Sequence, residues 1–166
     1  VNHDVNLSEP PLVARVEVAS DTIFNLKVQR ADGSSAPLGY GVTVYYTVVE
    51  AGVYNVNDQG VKMEAVKFAS TVTDRAGGGT WNGENRNLTN SYDAPVVLGQ
   101  VMSMKDTAFS VFWARGAAFD EPPSSSDVWV GKHIGQDPIF TRANEDIGYI
   151  VIEAGSGTMG SYDYAA

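Results

Sequence analysis

Two stretches near the start of the chain, Leu12 to Val18 and Ile23 to Gln29, alternate apolar and polar residues around the turn-prone Ala19-Ser-Asp-Thr22. In the second stretch Phe24, Leu26 and Val28 fall on one side and Asn25, Lys27 and Gln29 on the other. That is the two-residue period of a strand with one dry and one wet face, and the pattern predicts a hairpin. After an Asp-Gly turn between Ala31 and Pro37, the β-branched and aromatic run Val42 to Glu50 predicts a third strand ending at Ala51-Gly52. Val61 to Thr73 predicts another, although the Lys, Met, Glu and Ala of its first part are helix formers. The Gly-rich stretch from Asp74 to Asn90 reads as a loop or irregular hairpin. Val97 to Ser103 and Phe109 to Arg115 then predict a second hairpin, and Ile147 to Glu153 a last strand.

Much of this pattern is stated twice. Moving Pro95 to Arg115 back by 85 positions (106 − 21 for the shared Asp) superposes Pro10/Pro95, Val16/Val101, Asp21/Asp106, Thr22/Thr107, Phe24/Phe109 and Arg30/Arg115. A second echo follows, with Tyr46 to Gly52 (YTVVEAG) against Tyr149 to Gly155 (YIVIEAG). Repeats of this kind indicate units that share a fold. The expectation is an all-β chain of antiparallel sandwich character built from two duplicated units. Residues 1–60 would form the first, N-terminally incomplete, and 61–166 the second, the two being able to share one core. Between Arg30 and Tyr46 lie 15 residues, and between Arg115 and Tyr149 lie 33, so the second copy carries 18 more. This excess predicts an inserted loop at 117–146. The tail from Tyr162 resembles the opening of a further unit, so the chain is expected to be part of a longer polypeptide or to complete a neighbouring molecule.

Composition narrows the function classes. A net charge of −9 with an isoelectric point near 4.5 lacks the basic face that a phosphate backbone or an anionic membrane would need. Neither nucleic acid nor membrane insertion is expected, since no apolar run approaches a bilayer span. With no cysteine, disulfides, thiolate metal sites and a thiol nucleophile are all excluded. An acidic, cysteine-free chain rich in Gly, Thr and Val has the composition of an extracellular or cell-surface module.

Pro95-Val-Val-Leu-Gly-Gln-Val101, Phe109-Ser-Val-Phe-Trp113 and Ile147-Gly-Tyr-Ile-Val-Ile-Glu153 resemble the strands of H-type lectin-like domains of secreted proteins. The resemblance implies an antiparallel β-sandwich, a carbohydrate-binding or cell-surface role, and assembly into trimers or larger oligomers. It lies in the strand patterns and carries over none of that family's sugar-contacting residues.

A sugar site needs an exposed aromatic plate for the apolar face of a pyranose, with polar side chains for its hydroxyls. Trp129, with Lys132, His133, Asp137 and Arg142, lies in the one-copy insertion and is the leading candidate; the alternative is a loop anchored by its Trp among solvated charges. Trp81, beside Asn82, Glu84, Asn85 and Arg86, is a second platform. By the 85-residue shift Phe112 takes the wet-face position of Lys27, as a platform or an interface residue, and Trp113 takes the core position of Val28. Phe24 and Phe109 are expected as equivalent core residues. Asn55, Asn57 and Asp58 before Gly60 form a fragment of a calcium-loop motif, but their count and spacing fall short of one. No cofactor is expected; calcium is the one ion for which any fragment exists. His3 and His133 stand apart, and no nucleophile, base and orienting group are grouped, so no enzymatic activity is expected. Asn6-Leu-Ser8 and Asn87-Leu-Thr89 are acceptor triplets for glycosylation in a secreted protein. The sequence therefore points to a glycan-binding or adhesive module. The rival expectation is a structural subunit whose strands pair between copies into a fibre or sheath.

Overall fold

The computed structural model describes residues 11–32, 34, 36–77 and 81–166. The N-terminal lead-in, with His3, the Asn6 triplet and Pro10, lies outside the described residues.

Among the described residues the chain is all-β apart from one helical turn. β1 (Leu12–Ser20) and β2 (Ile23–Arg30) pair antiparallel from Leu12 with Arg30 to Ser20 with Ile23. This is the hairpin that the alternation predicts. β3 (Gly52–Tyr54), the turn α1 (Val56–Gln59) and β4 (Met63–Ser70) follow, then the two-residue β5 (Thr73–Asp74) and β6 (Glu84–Asn87). β7 (Pro95–Val101), β8 (Val111–Arg115), β9 (Asp127–His133) and β10 (Glu145–Glu153) complete the main body. A second hairpin, β11 (Ser156–Met159) and β12 (Tyr162–Ala165), ends the chain.

One antiparallel sheet runs β3-β4-β10-β7, and β10 is central in it. The other is built on β9, which pairs antiparallel with β8 along one edge and with β6 along the other, β5 adding a short parallel pairing beside β6. Val128 and Val130 of β9 meet Tyr149 and Val151 of β10 and Tyr92 in one buried cluster. Val66, Phe68, Leu88, Val97, Phe112 and Ala114 pack around it. Side chains from both sheets thus form the dry layer of a β-sandwich. Each fully buried Val contributes about 1.5 kcal/mol or more by leaving water.

Several expectations give way here. β7 and β8 are strands, but they enter different sheets and do not form a hairpin. The cause lies in the stretch expected as an inserted loop at 117–146, which supplies β9. β9 draws β8 into the second sheet while β10 holds β7 in the first. The first copy is 18 residues shorter at this point, and among the described residues between Arg30 and Tyr46 no strand takes the place of β9, so β2 closes on β1. The two copies therefore trace unlike paths despite their matched residues. Val42 to Glu50, expected as a strand, joins no ladder among the described residues, where only Thr43 makes an isolated bridge. The Gly-rich stretch expected as a loop or irregular hairpin contains β6, which pairs with β9. The expected boundary between residues 60 and 61 falls between β3 and β4, which pair with each other.

The helical turn accounts for the stretch read as a calcium-loop fragment. Asn55 is its N-cap, with Oδ1 accepting from Asp58 N at 3.0 Å while Gln59 Oε1 accepts from Asn55 N at 2.9 Å. Asn55 Nδ2 donates to Asp58 Oδ2. Gly60 ends the turn at φ 76, where a side chain would be strained.

Candidate functional site

Strand parity divides β8 and β9 into an inner and an outer face. Phe112 and Ala114 of β8 and Val128 and Val130 of β9 point into the core. Their neighbours Trp113, Arg115, Trp129 and His133 consequently share the outer face. This reverses the expectation for β8, which placed Phe112 in water and Trp113 in the core. The inference from the first copy failed because β8 belongs to the sheet opposite β7, so its dry side is the other one. Phe112 fits inward because β7 offers Gly99: a Cβ there would lie 2.4 Å from its ring.

On the outer face the indole of Trp113 lies across Gly83 and Gly131, where added Cβ atoms would stand 3.1 and 3.2 Å from it. Gly131 of β9 and Gly83, just before β6, make the trough that seats this ring. Trp81, from the loop before β6, closes edge-on against it with ring centroids 6.0 Å apart. Trp81 also stacks on Phe119 at 5.7 Å and 16° and leans on His133 at 6.3 Å. Trp81 is 41% and Phe119 62% exposed, so the stacked pair presents its surface to water.

Arg115 connects this group to Trp129. Its guanidinium lies 4.7 Å from the Trp129 ring and 5.5 Å from that of Trp113. It donates to the carbonyls of Gly116 and Ala117 from Nη1 and to that of Trp81 from Nη2 at 2.8 Å. Trp81 has φ 45, unusual for a bulky residue and costing about 1–3 kcal/mol. The Arg115 bond and the stacking on Phe119 oppose that cost. Such strain tends to collect where a side chain must be presented in a particular way.

Polar groups fringe the aromatics. Asn85 of β6 stands opposite Trp129, and Asn87 opposite Asp127, so these share the outer face; both asparagines are exposed. Asp127 is fixed by Ser124, whose Oγ donates to Oδ2. The Asn87 triplet thus presents an accessible amide beside the platform. Along β6 a cavity of about 350 Å³ opens, lined by Glu64, Val66, Asn85, Arg86, Asn87, Thr89 and Tyr149. Arg86 is poised there, 4.4 Å over the Phe68 ring. Burial raises the Tyr149 phenol above its ordinary pKa, against a hydrogen bond from Arg86.

Of the candidates from sequence, Trp81, Trp129 and His133 come together on this face. The His133 Nδ1 accepts from Gly135 N, which fixes its ring. Phe112 belongs to the core. Asp137 and Arg142 turn to each other: Arg142 Nη2 donates to Asp137 Oδ2 at 2.6 Å, with Nη1 3.6 Å from Asp106. The backbone N–H of Ile139, and then Arg142, hold the Asp137 carboxyl below its usual pKa. Through Asp106 this half-exposed pair adjoins a buried ionic group. Arg15 of β1, fully buried, donates from Nη2 to Glu145 Oε1 and Ser103 O, and from Nη1 to Asp106 O and Ala108 O. Glu145 also accepts from the backbone N–H of Lys105 and Asp106. Lys132, buried beneath, donates to Ala143 O, and burial lowers its pKa against the pull of Glu145. These contacts clasp the first hairpin to the sandwich. Glu153, at the end of β10, binds Lys62 at 2.6 Å and accepts from the backbone N–H groups of Asp93 and Ala94. Phe24 and Phe109 are both half-buried and lie outside the core.

Sequence reasoning missed Arg115, Phe119 and Trp113 as members of the platform. The Gly83/Gly131 pair was the available signal, since two glycines flanking strand residues leave room for a ring. No protein-family model, curated protein or solved structure matches the chain.

Proposed function

We propose that the chain is an extracellular glycan-binding or adhesive module, which holds a saccharide on the outer face of the β8-β9-β6 sheet. The observation that carries this reading is the aromatic group Trp81, Phe119 and Trp129, ordered by Arg115 and fringed by Asn85, Asn87 and Asp127. A sugar ring stacks its C–H face on an indole, and its hydroxyls need amides and carboxylates at the rim. Arg115 has its terminal nitrogens engaged by carbonyls, so its role is to position the rings. The cavity at Glu64 and Arg86, sharing Asn85 and Asn87 with the platform, extends the polar rim around β6. The resemblance of the strand patterns to H-type lectin-like domains agrees with this assignment.

A glycan array followed by titration calorimetry tests it. The expected result is a small set of related glycans, with Trp129→Ala and Trp81→Ala each weakening binding about tenfold or more, as loss of about 1.4 kcal/mol or more implies, at unchanged far-UV circular dichroism. An array without hits, or hits unaffected by both substitutions, overturns the assignment.

A further inference from the structure

Val42 to Glu50 (VTVYYTVVE) forms no strand with the other described residues beyond the isolated bridge at Thr43, and it carries no charge before Glu50. Tyr45, Tyr46 and Val48 are 74%, 67% and 72% exposed. The matching residues of β10, Tyr149 and Val151, are 3% and 0% exposed, because β4 and β7 flank that strand. Proteins rarely leave a long, uncharged, β-branched stretch open, because its free N–H and C=O groups template pairing with another chain.

We propose that Val42–Glu50 pairs antiparallel with the same segment of a second copy, giving a two-fold dimer. Centring the pair on Tyr46 sets Tyr46 against Tyr46, Val44 against Val48, Thr43 against Val49, Tyr45 against Thr47 and Val42 against Glu50. In this register aromatic faces aromatic, β-branched residues face each other, and no like charges meet, which are the pairings that stabilise an antiparallel ladder. The interface is isologous and closes at two copies. The ring of Tyr46 is already braced edge-on against Phe24 of β2 at 5.3 Å, so one face of the segment is ordered before pairing. Exposed Ile23 (59%) and Leu26 (36%) on the same hairpin offer further apolar surface beside it.

The test uses the whole chain. Sedimentation at rising concentration should show a monomer–dimer equilibrium. Val48→Lys alone and Val44→Glu alone should remain monomeric, and the two mixed should form a one-to-one pair, because the register opposes positions 48 and 44. The chain has no cysteine, so Tyr46→Cys should cross-link to itself under mild oxidation while Tyr162→Cys, at an equally exposed site, should not. A monomer at every concentration overturns the proposal, as does a dimer that survives both charge substitutions. So does a cross-link that forms only between Tyr46→Cys and Tyr162→Cys chains, which would mean that the C-terminal hairpin is the partner. Open-ended growth beyond two copies also overturns it.

Discussion

Replacing Glu145 by Gln removes the charge from the clasp with almost no change of shape. In the native chain the carboxylate receives Arg15 Nη2 at 2.9 Å and Asp106 N at 2.8 Å on Oε1, and Ser103 Oγ and Lys105 N on Oε2. The Gln amide keeps one acceptor and turns a donor toward groups that are themselves donors. Arg15 keeps its carbonyl partners but loses its counter-charge, and both side chains are within 1% of full burial. Stripping one partner from a buried pair costs about 3–5 kcal/mol, and one newly unpaired backbone N–H accounts for about 1–3 kcal/mol of that. For a chain of this size about 2–4 °C is lost per kcal/mol, so the melting temperature should fall by roughly 6–20 °C. Calorimetry gives the shift, and urea unfolding gives the free energy independently. A cycle with Arg15→Met separates the pair from its surroundings: the double variant should be more stable than the sum of the single losses implies, because no buried charge is then left alone. A loss below about 1 kcal/mol for Glu145→Gln, or strict additivity in the cycle, would refute the view that this pair fastens the hairpin.

Other outcomes follow from single contacts. Gly99→Ala should cost about 1–3 kcal/mol by driving Phe112 out of place, and Phe112→Leu in the same chain should recover part of it in thermal unfolding; a silent Gly99→Ala would mean that the ring is not seated there. Burial raises the Tyr92 phenol to about 12, so the unfolded chain ionises first and stability should fall as pH rises from about 10 toward 12. Tyr92→Phe should flatten that limb in alkaline denaturation. At the acid end Lys62 and the N–H groups of Ala94 and Asp93 depress the Glu153 carboxyl, so its contribution is present at neutral pH and is lost as pH falls through its lowered value. Lys62→Met should remove that part of the acid dependence. Gly60 sits at φ 76 with a would-be Cβ 2.3 Å from Thr158 O. Gly60→Ala should therefore cost about 1–2 kcal/mol in backbone strain, and hydrogen exchange should show the β11-β12 hairpin loosened.

Alternation along the chain was enough to locate β1, β2, β4, β7, β8 and β10, because a two-residue period is a local property of each strand. The composition was enough to set the all-β class. Two of the three best platform residues, Trp81 and the half-buried Trp129, were also legible as aromatics in polar company. Their meeting was not, since one precedes β6, the other lies in β9, and Arg115 of β8 joins them.

What the chain could not declare locally was which strand each partner would find. The same Phe-x-Val pattern closes a hairpin at β2 and crosses to the second sheet at β8, because only the later copy has the additional residues that make β9. Alternation determines that a strand has two faces; the strand packed across from it determines which one is dry. Hence Phe112 turned inward and Trp113 outward, against the order borrowed from Lys27 and Val28. Arg15, polar in a strand of mixed pattern, became fully buried because Glu145, 130 positions away, waits there with the charge that makes its burial tolerable.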